Sequence, residues 1–315
     1  MSDVARPAIA FVSRHEGSGW IDALAKAMPS ERIFDESNID ANEAASVELA
    51  IVADPAPERL ARFANLRWVH SVWAGVERLI PLVAARNIPL VRLVDPTLSN
   101  AMAEAVLAWT LYLHRDMPAY ARQQRQCLWM PHAYKPASSL TVGILGLGEL
   151  GRAAAARLVA AGYRVTGWSQ SAKQIAGVQS FTGEAGLREV LTNANIVVLL
   201  LPLTQSTHGL MNAERLAWMR GGADIINFAR GAVLDSGALL AALDDKRLGH
   251  AVLDVFDQEP LPAMSPLWNH QAITVLPHIS APTDRASASN IVAGNIRAFR
   301  QSGTIPLSVN AGRGY

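Results

Sequence analysis

The chain has 315 residues, of which 50% are apolar and 17% charged, and its formal net charge is +1. That length accommodates about two domains with large cores, the composition excludes a disordered chain, and no basic surplus favours nucleic acid as a partner. The single cysteine, Cys127, excludes an intrachain disulfide and fits a reducing compartment.

In chain order, Met1 to Pro7 include Asp3 and no apolar signal-peptide stretch. No apolar run reaches the length of a membrane span, so a cytoplasmic protein without membrane contacts is expected. Residues 8–12 read as a first strand and residues 18–28 as a helix. Residues 49–53, 66–72 and 90–94 read as further strands, the first ended by Asp54-Pro55 and the last by Asp95-Pro96. Strands alternating with helices predict a parallel sheet. A smaller α/β unit therefore precedes the rest of the chain.

Residues 100–117 read as a long helix capped by Ser99 or Asn100. Met102, Val106, Trp109 and Leu113 share one face, and Leu107, Leu111 and Tyr112 spread round the cylinder. A helix apolar on most sides is buried on most sides, in its own domain or in a dimer interface. Residues 120–129, with Arg122 and Arg125, read as an arm reaching a second subunit. Trp129, Met130 and Pro131 are weighed as reaching a neighbouring subunit's cleft against a packing role, and packing is expected.

The most informative stretch follows. Residues 140–145 are a buried strand, residues 146–151 read Gly-Leu-Gly-Glu-Leu-Gly, and residues 152–161 are a strong helix former. Gly162 ends that helix and residues 163–168 form the next strand. A GxGxxG set between strand and helix is the dinucleotide fingerprint. Gly146, Gly148 and Gly151 permit the turn and the close approach of a pyrophosphate, with Glu149 and Leu150 in the same loop. The helix N-terminus supplies free N–H groups.

Buried strands continue at residues 194–201, 224–228, 251–255 and 273–276, as a sheet covered on both faces requires. Thr204, Arg230, Asp254, Glu259 and His278 follow their C-terminal ends, the edge where open parallel sheets bind ligands. An arginine, a carboxylate and a histidine gathered there suit reduction of a 2-oxo acid. The arginine offers a forked donor. The histidine moves a proton, and the carboxylate orients the histidine. A last helix, about residues 286–300, returns to the first domain. No histidine or cysteine spacing suggests a metal site.

These motifs resemble the D-isomer-specific 2-hydroxyacid dehydrogenase family, and within it the glyoxylate/hydroxypyruvate reductase A branch. The resemblance runs from Ala74-Gly75-Val76-Glu77 through the GxGxxG, Asn227-Phe-Ala-Arg230-Gly231, Asp254-Val-Phe-Asp-Gln-Glu259-Pro260 and Pro277-His278-Ile279. It ends in the tail from Ala311 to Tyr315. It implies two α/β domains: a Rossmann-type doubly wound parallel sheet over residues 99–283, and a smaller flavodoxin-like substrate domain over residues 1–98 and 284–315. It implies a homodimer. It makes Arg230 the substrate-binding arginine, His278 the acid/base and Glu259 its partner. The amides of Ala74, Gly75 and Val76 would cradle the substrate carboxylate. Asp254 would face the nicotinamide carboxamide, with Asn227, Phe228, Ala229 and Ser280 beside it. Leu201, Pro202, Leu203, Thr204 and Thr207 would flank the adenosine side.

The chain departs from the family pattern at two places. Ser169 stands where NAD-specific members carry an Asp, so no carboxylate repels a 2′-phosphate. Ser169, Ser171 and Lys173 suit that phosphate, and NADP is expected in preference to NAD, although Gln170 replaces an arginine found in many NADP-preferring relatives. Trp73 replaces a small residue, as a wall of the substrate pocket or as packing at a domain seam. The expected reaction is reduction of glyoxylate to glycolate or hydroxypyruvate to D-glycerate. Pyruvate and phenylpyruvate are the alternative substrates. A nucleotide-sensing, corepressor-like protein is the alternative class, and the intact Arg–Glu–His set argues against it. His70, near the carboxylate loop, is weighed as a substrate contact against a structural role. His15, His114, His132, His208, His250 and His270 read as surface or structural.

Overall fold

The computed structural model describes residues 7–14, 18–310 and 312–314. His15, Ala311 and Tyr315 lie outside the described residues. The chain divides into two compact units, Met1–Thr97 with Thr283–Tyr315, and Leu98–Pro282.

The first unit begins with β1 (Ile9–Ser13), α1 (Ser18–Ala27) and β2 (Ile33–Asp35). It continues with α2 (Ala41–Ser46), β3 (Leu49–Ala53), β4 (Trp68–Ser71), α3 (Ile80–Ala85) and β5 (Leu90–Val91). The five strands form one parallel sheet in the order β2-β1-β3-β4-β5. Its apolar strands bury both faces: Ile9, Phe11, Ile51 and Trp68 belong to one core, Ala10, Val12, Val52 and Val69 to the other. Strand β2 escapes the sequence pattern because it has three residues, all only half-buried.

His70 lies wholly inside this unit. Its Nε2 accepts from Asn295 Nδ2 at 2.8 Å, and its Nδ1 bonds the carbonyl of Ser71 at 2.9 Å. Both ring nitrogens are thus engaged, which removes His70 as a substrate contact. Burial drops its pKa to about 4, the Ser71 bond opposing.

The chain enters the second unit along α4 (Pro96–His114), followed by α5 (Met117–Arg125). The helix starts earlier than expected. Asp95-Pro96 opens it rather than ending a strand: Asp95 Oδ1 accepts the Thr97 amide at 2.8 Å, and Pro96 stands at the first helical position. Ser99 and Asn100 are therefore interior residues, not caps. Next come β6 (Thr141–Leu145), α6 (Glu149–Ala160), β7 (Arg164–Trp168), β8 (Val178–Phe181), α7 (Gly183–Asn193) and β9 (Ile196–Leu199). The unit closes with α8 (Ala213–Trp218), β10 (Ala223–Asn227), α9 (Ser236–Asp244), β11 (Leu248–Leu253) and β12 (Ile273–Val275). The chain then returns to the first unit with α10 (Arg285–Ser302).

The seven strands are parallel in the order β12-β11-β10-β9-β6-β7-β8, the doubly wound arrangement. The winding reverses beside β6, where Leu145 is level with Trp168 on one side and Leu199 on the other. Residues following all three strands therefore meet at one edge. On the other half, Asn227, Leu253 and Val275 are side by side, so the segments after β10, β11 and β12 also emerge together. Strand β8, an outer strand of half-buried and exposed residues, carries no apolar run to announce it. No described helix is long and apolar enough to cross a membrane.

Candidate active site

Each fingerprint glycine has its own physical task. Gly146 has φ +107°, and a Cβ there would lie 2.6 Å from the carbonyl oxygen of Leu200. Gly151 packs α6 against the turn: its Cβ would lie 1.8 Å from the carbonyl oxygen of Gly146. Gly148 is different. It precedes α6 with an ordinary φ of −75°, and nothing lies within 4 Å of where its Cβ would stand. No side chain caps the helix, so its first amides remain available. An open backbone cradle at an uncapped helix N-terminus fits a pyrophosphate.

After β7 the chain makes a tight turn. Ser169 is buried and its hydroxyl donates to the Ser171 carbonyl at 2.7 Å, while Trp168 Nε1 donates to the Gly183 carbonyl at 2.8 Å. Gln170 and Ser171 are exposed and Lys173 is half-buried. No carboxylate occurs from residue 169 to 173. After β9, Leu201 is buried, Pro202 and Leu203 are half-buried, and Thr207 ties the turn together. Its hydroxyl donates to the Pro202 carbonyl at 2.6 Å and accepts the Thr204 amide at 2.8 Å.

The loop after β10 is shaped by Asn227. Its Oδ1 accepts the Ala229 amide and its Nδ2 donates to the Arg230 carbonyl, both at 3.1 Å. Phe228 and Ala229 are buried, and Arg230 is half-buried. Arg230 also donates to the Ala229 carbonyl at 2.6 Å. Gly231 presses this loop against the next, since a Cβ there would lie 2.0 Å from the Phe256 carbonyl carbon.

The loops after β11 and β12 are held by two carboxylates. Glu259 Oε1 accepts the Phe256 amide at 2.9 Å and Oε2 bonds His278 Nδ1 at 2.8 Å. Asp254, only 2% exposed, accepts the Ile279 amide at 2.7 Å and the Ser280 amide at 2.9 Å. His278 has φ +55°, a left-handed backbone that costs a residue other than glycine about 1 kcal/mol. The two amides pinned to Asp254 hold it there. This role of Asp254 is not visible in its motif. The pair itself stays accessible, with His278 55% and Glu259 36% exposed. Ser280 Oγ is buried without a hydrogen-bond partner among the described residues, a polar atom for a ligand to satisfy.

The second unit thus gathers Arg230, Asp254, Glu259, His278 and Ser280 on neighbouring loops. The other predicted group lies in the first unit. There the amides of Ala74, Gly75 and Val76 make no hydrogen bond among the described residues. Trp73 is half-buried against the core that contains Trp20, with its amide donating to Ser71 Oγ at 3.0 Å.

The remaining described histidines are structural, save His208, which is exposed. His114 bonds the Tyr163 hydroxyl and the Lys135 carbonyl, His132 bonds Asp116 and Gln123, and His270 bonds Asp244. His250 bonds the Thr274 hydroxyl; burial, with help from Arg122, pushes its pKa down to about 4. Among the described residues no group of three or more His, Cys, Asp or Glu side chains is placed to hold a metal. The packing expected of Trp129 is not found within one chain. Trp129 is 99% exposed, flanked by exposed Leu128 and Met130.

Comparison with known proteins agrees with this architecture. Residues 107–280 match the family described as D-isomer specific 2-hydroxyacid dehydrogenase, NAD binding domain. The glyoxylate/hydroxypyruvate reductase A of Yersinia enterocolitica is 37% identical over 307 residues, 95% of this chain and 97% of that protein. A D-isomer specific 2-hydroxyacid dehydrogenase of Xanthobacter autotrophicus Py2, solved with NADPH and MES, superposes with a TM-score of 0.93. It is 39% identical, with 99% and 100% of the two chains covered. An NADPH-dependent glyoxylate/hydroxypyruvate reductase of Sinorhizobium meliloti, solved with NADP and sulfate, superposes with a TM-score of 0.90. Its identity is 33%, covering 98% and 99% of the chains. With these matches spanning nearly its whole length, the chain belongs to the D-isomer specific 2-hydroxyacid dehydrogenase family.

Proposed function

We propose that this chain reduces small 2-oxo acids, glyoxylate to glycolate and hydroxypyruvate to D-glycerate, using NADPH in preference to NADH. The observation that carries the reading is the accessible Glu259–His278 pair, 2.8 Å apart on loops beside that of Arg230. The names of the Yersinia and Sinorhizobium relatives support the substrate class. The NADP(H) in the Sinorhizobium and Xanthobacter structures supports the cofactor, as does a serine at residue 169 where an acid would repel a 2′-phosphate.

A reduced nicotinamide, when bound, supplies the hydride to C2. Residues 146–151 hold the pyrophosphate by backbone amides. Residues 169–173 take the adenosine end, with Lys173 as the cation. Arg230 binds the substrate carboxylate and carbonyl through its planar fork, stabilising the charge that develops on oxygen. On the first unit, the free amides of residues 74–76 are donors suited to a carboxylate. His278, its Nδ1 held by Glu259, keeps Nε2 for the proton that the forming alkoxide takes up. Glu259 balances the charge the ring carries when protonated. Asp254 positions His278 through the backbone.

The apolar side chains of Leu128, Trp129 and Met130, each more than half exposed, call for cover. We assign them to the interface of a homodimer; light scattering giving a monomer at micromolar concentration overturns that assignment. One cysteine and the reductive chemistry fit the cytoplasm.

The test is loss of reduced-nicotinamide absorbance with glyoxylate, hydroxypyruvate, pyruvate or phenylpyruvate, each with NADPH and with NADH. Fast loss with the first two acids and NADPH is expected. Preference for phenylpyruvate refutes the substrate reading, and preference for NADH refutes the cofactor reading.

A further inference from the structure

A guanidinium drawn partly out of water is costly unless something pairs with it. Among the described residues of the first unit four arginines are half-buried: Arg59, Arg86, Arg92 and Arg300. Three of them have partners. Arg59 binds Glu36 and the Ser13 carbonyl. Arg86 donates to the carbonyls of Leu60 at 3.0 Å and Phe63 at 2.7 Å, and Arg300 pairs with Glu31 at 3.1 Å. Arg92 has none: no hydrogen bond, ion pair or ring contact joins its side chain to another described residue. The carboxylates of its surroundings are used elsewhere. Asp95 accepts the Thr97 amide at 2.8 Å and the Ser287 hydroxyl at 2.9 Å. Asp54 is shared by the exposed Arg14 and Arg78, at 3.9 and 3.3 Å, and Glu77 is engaged as well.

Strand geometry places Arg92 beside the loop that follows β4. The Leu93 amide donates to the Trp73 carbonyl at 3.1 Å, so the pairing of β5 with β4 runs on to the start of that loop. Val91 and Leu93, on either side of Arg92, pack in the core that holds Trp68 and Val72. Side chains alternate along an extended chain. Arg92 therefore faces the other way, toward the core that holds Val76 and Leu79 of the loop. The amides of Ala74, Gly75 and Val76, which make no hydrogen bond among the described residues, belong to that same loop. A cation without a partner and three donors without acceptors thus stand together at the C-terminal edge of the first sheet, the edge at which parallel sheets bind ligands.

We propose that Arg92 and the amides of residues 74–76 form one carboxylate-binding site on the first unit, with the carboxylate of the 2-oxo acid as its ligand. The identity of that ligand rests on the reductase reading; the site itself does not. A carboxylate has the chemistry that both parts need. Its oxygens accept from several N–H groups at once, and the planar guanidinium fork matches its geometry. Its charge also neutralises the half-buried cation. Arg92 makes or breaks no covalent bond: it is a binding residue, and its charge-assisted hydrogen bonds change affinity about 10- to 100-fold.

The probe is oxalate, which matches glyoxylate in length and accepts no hydride, titrated calorimetrically into the whole chain with and without NADP. Wild type and Arg67→Gln are expected to bind it alike. Arg92→Gln binds it about 10- to 100-fold more weakly, and Arg92→Lys, which keeps the charge and loses the fork, falls between. Arg67 is the control: it precedes β4, at the opposite edge of the sheet, and pairs with Glu48 at 3.6 Å. Melting temperature separates binding from a structural role. Removing an unpaired, half-buried charge leaves oxalate-free Arg92→Gln melting as high as wild type or higher. With glyoxylate and NADPH the same variant raises KM about as much as it weakens oxalate, with kcat nearly kept. An oxalate affinity of Arg92→Gln within twofold of wild type overturns the proposal, and so does a wild type that binds no oxalate. An Arg92→Gln protein that melts well below wild type overturns it too, because Arg92 would then hold the loop rather than a ligand. A wild type that binds oxalate through Arg92 but reduces no 2-oxo acid supports the site and refutes the reductase reading, and with it the substrate as the site's ligand.

Discussion

Two substitutions three residues apart in the glycine loop are expected to fail in opposite ways. In Gly151→Ala the new methyl would lie 1.8 Å from the Gly146 carbonyl oxygen, far inside the 3.0 Å below which such contacts are essentially never found. The obstacle is backbone and cannot rotate away, so α6 must shift off the sheet, at about 3 kcal/mol or more. In Gly148→Ala the φ of −75° suits alanine and nothing lies within 4 Å. The gain from a stiffer unfolded chain and the loss of a tolerated N-cap residue nearly cancel, leaving stability within about 1 kcal/mol of wild type. The methyl instead fills the space that a pyrophosphate must enter, weakening NADPH binding about 10-fold or more. Urea unfolding of the cofactor-free protein reads the first quantity, and fluorescence titration with NADPH reads the second. A Gly148→Ala protein that binds NADPH like wild type, or that loses more than about 2 kcal/mol of stability, refutes this division of labour.

Glu259→Gln is expected to lower kcat about tenfold or more while barely moving the melting temperature, because the pair is solvent-exposed and adds little to stability. A large thermal shift with unchanged kcat would make the pair structural. Asp254→Asn places an amide against one of two backbone N–H donors; a loss of about 1–3 kcal/mol in urea unfolding is expected, together with a lower kcat as His278 leaves its left-handed conformation. Unchanged stability and rate would contradict the positioning role. Asp224 has its pKa raised from 3.8 to about 7, chiefly by burial and further by Asp116, against a hydrogen bond from the His250 amide and the charge of Lys135. The unfolded chain releases this proton near pH 4 and the folded chain only near pH 7, so stability falls as pH rises across that window. Asp224→Asn is therefore expected to gain about 1–3 kcal/mol over wild type at pH 8 and almost nothing at pH 4. Equal differences in melting temperature at the two pH values would refute this.

Much of the fold was legible because its strands are buried on both faces and read as unbroken apolar runs, β3 and β9 being examples. The edge strands β2 and β8 were not, since neither is fully buried and neither carries such a run. The start of α4 was misplaced because Asp95-Pro96 suits both the end of a strand and the opening of a helix, and only the Thr97 bond decides. The motifs identified the family, which the comparisons bear out. They did not reveal that Asp254 uses both oxygens on backbone amides, or that Asn227 shapes the Arg230 loop, because such bonds join residues by loop conformation rather than by spacing. The near-complete exposure of Trp129, for which the sequence leaves both packing and contact with a second subunit open, appears only with the fold in hand.

The central claim is that His278 moves the proton that accompanies hydride transfer to a 2-oxo acid. Its most direct test is the rate of NADPH oxidation by glyoxylate with wild type and His278→Gln in parallel, with NADPH affinity measured on both. The account predicts rapid oxidation by the wild type, a loss of about 10²- to 10⁴-fold in the variant and similar NADPH affinity for the two. Equal turnover by the two proteins would contradict it.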